Sequence, residues 1–252
     1  MPFAPHRTIA EVIQDIDSIV AHCTTTKNPL VFFAALYGKV TKRVEEGILS
    51  GEFEDNARME RLDVIFANRY LEAYYNFNEG KSVTKSWQVA FEASKEKHLI
   101  LQHVFLGINA HINLDLGIAA SETIGTGDIS ALKKDFDAIN RILSELTESA
   151  QEEIARLSPW LRWVDRWLGN TDEALAGFSI QLARDGAWKF ANEYHISVDK
   201  ALVITERDRV VASFGEKIRR PSGRISSFLL GLLRATESKQ FLAGIKILSK
   251  KK

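Results

Sequence analysis

The chain has 252 residues, 45% of them hydrophobic, and its 33 Lys plus Arg balance 33 Asp plus Glu to a formal net charge of zero. That length and apolar content suffice for one large core, while the balanced charge removes the global attraction that a binder of nucleic acid or of an anionic membrane uses. A single cysteine, Cys23, excludes an internal disulfide framework and any CxxC motif, and no apolar run approaches about 18 residues without a charge or strong polar group, so a cytoplasmic protein with no stable membrane insertion is expected.

From Thr8 to Thr24, Ile9, Val12, Ile13, Ile16, Ile19 and Val20 recur at helical spacing, with Thr8 and Glu11 placed as a capping box. Asn28-Pro29 opens a second helix that runs to about Ile48, before Gly51, with Leu30, Phe33, Ala34, Tyr37, Val40, Thr41 and Val44 as its inward stripe. Asp55-Asn56 caps a third, ending near Asn78-Glu79-Gly80. Its apolar line of Met59, Leu62, Phe66, Ala73 and Phe77 is interrupted by Asp63 and Tyr70, and Arg69 can turn inward or outward. A shorter helix, Val83 to Ser94, carries Trp87 and Phe91 and leads through Lys95-Glu96-Lys97 into a helix spanning Glu96 to Thr123.

Beyond Gly125-Thr126-Gly127-Asp128 the pattern predicts an amphipathic scaffold helix from Ile129 to Leu157 and an aromatic ridge of Trp160, Trp163 and Trp167. Asp165 dilutes the Arg162 and Arg166 beside that ridge, so base stacking is not expected there. A helix from near Asp172 to about His195 carries Arg184, Asp185 and Trp188. Val198 to Ile218 follows, then a basic break at Arg219-Arg220-Pro221-Ser222-Gly223 and two short apolar helices, Ile225 to Ala235 and Gln240 to Leu248. No strand-like alternation and no internal repeat is visible. The expected architecture is an all-α, single-domain bundle of about ten helices over residues 1–252, built around a buried central helix at about 96–123, with the helices of 222–248 packed on it and a basic tail at 249–252.

The central helix carries the chemistry: His103-Val-Phe-Leu-Gly107-Ile-Asn109-Ala-His111-Ile-Asn113-Leu-Asp115-Leu. At about 100° per residue, His103, Gly107, His111 and Asp115 climb one side, and Asn109 and Asn113 nearly the opposite one. Leu101, Phe105, Ile108, Ile112 and Leu116 fill the faces between, so the helix is apolar almost all round and its polar residues need partners in the interior. The i,i+4 pair His111 and Asp115 has the spacing that presents two ligands to one metal ion or a carboxylate to orient an imidazole. It is equally the spacing of a hydrogen bond that merely satisfies two buried groups. Asp63 and Tyr70 belong to the same candidate cluster, because helical sites gather inward-facing carboxylates and histidines from several helices. Alternatively Asp63 forms an interior ion pair with Arg69, Arg184 or Arg207.

Two sequence stretches flank this motif in a recognisable order: Phe32-Phe33 with Leu36-Tyr37 and Val40-Thr41, then Arg58-Met59-Glu60 with Leu62-Asp63-Val64. Together with His103-x-x-Leu-Gly107-x-Asn109-Ala-His111-Ile-Asn113-x-Asp115-Leu, over about Phe32 to Gly117, they resemble a bacterial family of about this length classed as a domain of unknown function. The resemblance implies no activity. Zinc-dependent phospholipase C enzymes are similar only in being all-helical and in a His111-x-x-x-Asp115 pair, an analogy rather than a match.

The residues therefore predict an enzyme whose catalytic groups are His103, His111, Asp115 and Tyr70, with Tyr37, Arg69, Asn109, Asn113, Arg184 and Trp188 as substrate contacts. If a divalent metal such as Zn or Fe is the cofactor, Asp63, His111 and Asp115 are its ligands, a bound water is the nucleophile and His103 carries protons. Without metal, Asp115 orients His111 as general base. Apolar walls suggest a small amphiphilic or apolar substrate. The other reading is a non-catalytic binding or scaffold protein for a hydrophobic ligand or a partner protein, with the His/Asp cluster structural. There is no glycine-rich phosphate loop, GxSxG elbow, HExxH or dinucleotide fingerprint.

Overall fold

The computed structural model describes residues 3–139, 142, 180–220 and 241–249, and among these the chain is all-α, with no strand. In order, α1 is Ile9–Thr25, α2 Val31–Ser50, α3 Asn56–Asn78, α4 Lys85–Glu92, α5 Ile100–Ala110 and α6 Leu116–Ile124; α7 is Ile180–Ile196, α8 Lys200–Arg219 and α9 Phe241–Ser249. Residues 133–139 are also helical. The expected tryptophan ridge at Trp160, Trp163 and Trp167, the greater part of the 129–157 helix, the start of the helix expected from Asp172, the 225–235 helix and the Lys250–Lys252 tail lie outside the described residues.

Local signals place most boundaries. The Thr8 hydroxyl accepts from the Glu11 N–H while the Glu11 carboxylate accepts from the Thr8 N–H, which closes the predicted capping box on α1. Gly51 ends α2 at φ 74°, where a side chain would be strained, and the Asp55 carboxylate caps α3 through the Arg58 N–H. Two boundaries differ from the sequence expectation. α4 starts at Lys85 rather than Val83 because its cap comes from far along the chain: Asp208 on α8 accepts from the Lys85 and Ser86 N–H groups at 2.7 and 2.9 Å. The central helix starts at Ile100 rather than Glu96, since Leu99 is extended and its N–H is taken by the Gln102 side chain.

α5 and α6 are two arms of one 25-residue helix, Ile100–Ile124, joined through a π-helical turn at His111–Asp115. By length and composition this helix can cross a membrane, but 94% of its most apolar window is buried inside the molecule, as in the core helix of a globular fold. α5 packs against α2, α4 and α8, and α6 against α3 and α7; α9 lies on α2. Two glycines permit the closest approaches. A Cβ on Gly107 would sit 2.3 Å from the Phe33 ring of α2, and one on Gly117 would sit 2.5 Å from Phe190 and 3.0 Å from the Ala187 carbonyl oxygen of α7. One apolar cluster runs from Ile9 on α1 to Leu248 on α9, with a smaller one of Leu114, Ile118, Phe190, Tyr194 and Val211 where the π turn and α6 meet α7 and α8.

Candidate functional site

The π turn sets the geometry of the His/Asp pair. A π turn adds a residue to the helical circuit and re-aims the side chains on it, and such turns recur at functional sites. Here it brings His111 Nδ1 to 3.3 Å from Asp115 Oδ2 and turns the carboxylate to partners on two other helices. Arg69 Nε of α3 donates to Asp115 Oδ1 at 2.9 Å, and Trp87 Nε1 of α4 donates to Oδ2 at 2.8 Å. Asp115 is 1% exposed. Burial alone would raise its pKa, but the Arg69 guanidinium, His111 and the Trp87 N–H outweigh that and hold it below the usual carboxylate range.

An ionised carboxylate only accepts, so the proton of the neutral imidazole lies on Nδ1 and the lone pair on Nε2. Burial is the main reason that the imidazole stays neutral: it lowers the His111 pKa against the pull of Asp115. The ring is wrapped by aromatics. Phe66 stacks on it at 3.5 Å between centroids and 5° between planes, Tyr37 meets it edge-on at 4.6 Å, and Phe33, Trp87 and Tyr70 stand at 5.8, 5.9 and 6.1 Å. His111 Nε2 has no hydrogen-bond partner among the described residues.

Next to His111 lies a cavity of about 60 Å³, roughly the volume of two waters. Phe33, Leu36, Val40, Leu62, Phe66 and Ile112 are among its apolar walls, and its polar lining is Tyr37, Asp63, His111 and Arg184. Three atoms of that lining are buried and unpartnered among the described residues: the Tyr37 hydroxyl, Asp63 Oδ2 and His111 Nε2. A buried polar atom without a partner costs about 1–3 kcal/mol, and three at one cavity is the pattern of a place kept ready for a polar guest. Burial first, then the charges of Glu60 and Glu45, push Asp63 up to about 7. Burial and the neighbouring Asp63 likewise keep Tyr37 a neutral phenol. Arg184, 1% exposed, donates to the Phe136 carbonyl at 2.6 Å and stacks over the Phe136 ring; burial lowers its pKa to about 9, partly offset by Asp137 and Asp185.

The other predicted residues fall in different places. His103 is on the far side of Phe33, in a small cleft with Pro29, Leu30, Trp87 and Gly107, and does not line the cavity. Tyr70 lines that cleft too and backs the His111 cage. Arg69 turns inward, and its partner is Asp115 rather than Asp63; Arg207 donates to the Asn113 carbonyl at 2.8 Å. Asn109 and Asn113 face α8: Asn109 donates to the Val211 carbonyl at 2.9 Å and Asn113 donates to Asn109 Oδ1 at 3.0 Å, so both amides serve helix packing. Trp188 packs on Phe136 at 4.9 Å, outside the cavity lining. Thr41 donates to the Tyr37 carbonyl, an ordinary core hydroxyl. Asp63, His111 and Asp115 are not gathered as one ligand set, since both Asp115 oxygens are engaged, and no group of three or more His, Cys, Asp or Glu among the described residues has the arrangement of a metal site.

Sequence reasoning passed over two members of the site. Trp87 reads as a core aromatic, yet a buried indole needs an acceptor, and Asp115 was the unpaired carboxylate in the neighbouring helix. Phe66 reads as an apolar stripe residue; nothing in its spacing marks it as the stacking partner of an imidazole.

A family model described as a family of unknown function, DUF5995, matches residues 9–221 of the chain. No curated protein matches it. No solved structure does either.

Proposed function

We propose, for a chain that belongs to DUF5995, a family of unknown function, that the cavity beside His111 is an acid–base site for a small molecule with an apolar body and one polar end. The observation that carries the reading is the convergence of Tyr37 Oη, Asp63 Oδ2 and His111 Nε2, each buried and unpartnered among the described residues, on one apolar-walled cavity.

The roles follow from the two carboxyls, whose surroundings push their pKa values apart, which is how one site obtains an acid and a base at one pH. Asp115, held ionised by Arg69 and Trp87, fixes the Nδ1–H tautomer and stabilises the imidazolium that forms when Nε2 takes a proton from the guest. Asp63, protonated for much of the time near neutral pH, supplies the opposing proton. Tyr37 donates a hydrogen bond and keeps its proton. No step is routed through a metal ion. A cytoplasmic setting suits the buried free thiol of Cys23.

The test is turnover. Wild type, His111→Gln and Asp63→Asn are incubated with a panel of short-chain esters, amides, alcohols and carboxylic acids, with products read by mass spectrometry and folding checked by circular dichroism. The expected result is consumption of one class by wild type and a loss of about 100-fold or more in both variants. Binding of panel members without turnover would overturn catalysis in favour of a non-catalytic binding module, a role the same cavity supports. Equal turnover in His111→Gln would remove His111 from the chemistry.

A further inference from the structure

The polar lining of the cavity has a charge pattern that selects among small guests. Asp115 is already neutralised by Arg69, so the pair adds no net charge. His111 is neutral, and its Nδ1 is committed to Asp115. What remains is a guanidinium, Arg184, a phenol, Tyr37, and a carboxyl, Asp63, all buried and all lining the same space. If Arg184 and Asp63 compensated each other, the acid would be pulled down and the base up. Instead both are shifted toward their neutral forms, Asp63 to about 7 and Arg184 to about 9. The charges acting on Asp63 from its own helix and from α2, Glu60 and Glu45, are negative, and the groups beside it in the cavity are the Tyr37 phenol and the His111 imidazole; Arg184 faces the cavity from α7.

Resting on the reading of this cavity as a ligand site, we propose that its guest is a small monocarboxylate with an aliphatic tail, bound as the anion by Arg184, the Tyr37 hydroxyl and the protonated Asp63 carboxyl, so that binding takes up a proton onto Asp63. The anion supplies what each of these groups lacks. A carboxylate accepts bidentate or single hydrogen bonds from a guanidinium, and its remaining lone pairs accept from a phenol and from a carboxylic acid. The acid-to-carboxylate hydrogen bond requires one proton shared between two carboxyl groups, as in any pair of carboxyls that cannot both ionise. The apolar walls take the tail, and the small volume favours short chains.

Isothermal titration with butyrate and hexanoate between pH 6 and 9, against hexanol and hexylamine, tests this. Both acids are fully ionised over that range, so any pH dependence belongs to the protein. The expected result for wild type is carboxylate binding whose affinity falls about tenfold per pH unit above 7. In Asp63→Asn, whose amide donates at every pH, that slope disappears while binding persists. Arg184→Gln should lose at least tenfold at every pH, and Arg184→Lys, which keeps the charge, should recover part of it. Preferred binding of hexylamine, tightening as pH rises, would show Asp63 acting as an anion and would overturn the carboxylate proposal while leaving the ligand site intact. Preferred binding of hexanol would do the same. Wild-type carboxylate affinity that is flat with pH would overturn the proton uptake, and absence of binding by all four probes would overturn both this proposal and the ligand-site reading.

Discussion

Asp63 is the residue whose cost to the fold can be measured without knowing any ligand. A carboxyl raised from 3.8 to about 7 in the folded state binds more protons folded than unfolded across that interval. Its contribution is therefore fully present below pH 3.8, is lost as pH rises toward 7, and amounts to as much as about 4 kcal/mol. Asp63→Asn mimics the protonated form and removes that loss. The variant is expected to be more stable than wild type at pH 8 and close to it at pH 4, as read from urea midpoints. A difference that does not grow between those two values would show that Asp63 is not held protonated by its surroundings. His111 works in the other direction: a histidine buried neutral, with its pKa lowered, costs stability as pH falls below 6.5. The acid-side behaviour of wild type is thus the sum of two opposing slopes, and the Asp63→Asn comparison isolates one of them.

At the scale of elements, the π turn and the two glycine contacts hold the site together, and they mark the limit of what spacing reveals. The amphipathic stripes of α1, α2 and α3, their caps and the burial of the central helix are all legible in the sequence, because each rests on local periodicity or on a cap within three residues. The His111–Asp115 contact was legible too, through its i,i+4 spacing. The sorting of the remaining polar residues was not. A uniform 100° step places His103 on the face of His111, but Phe33, seated on Gly107, stands between them and lines both spaces. Likewise Arg69 and Trp87 reach Asp115 from 46 and 28 residues away, and no local pattern encodes such a meeting. Gly107→Ala should expose the tightness of the Phe33 contact. Since Phe33 must move to admit a methyl group whose carbon would lie 2.3 Å from its ring, a loss of about 1–3 kcal/mol is expected in urea unfolding. A neutral effect would mean that the ring relocates freely.

Across the whole molecule, the site is shared rather than carried by one helix. α8 alone caps α4 through Asp208, receives Asn109 through the Val211 carbonyl, holds the Asn113 carbonyl through Arg207 and receives Gln102 through the Ile218 carbonyl. With one continuous apolar cluster joining α1 to α9, unfolding is expected to be cooperative. Far-UV circular dichroism and the His111 ring proton signal in NMR should then be lost at the same denaturant concentration. A His111 signal that disappears before the helical signal would reveal a separately melting site.

The Phe33 ring has a kinetic consequence. One side chain partitions the cavity beside His111 from the cleft that holds Pro29 and His103, so the wall between the two spaces is a single torsion angle. Swinging that torsion opens a corridor between them with no helix displaced. Traffic through it would keep time with the rotation of an aromatic ring, and trimming the ring to Leu would speed both arrival and escape while leaving the catalytic groups where they stand.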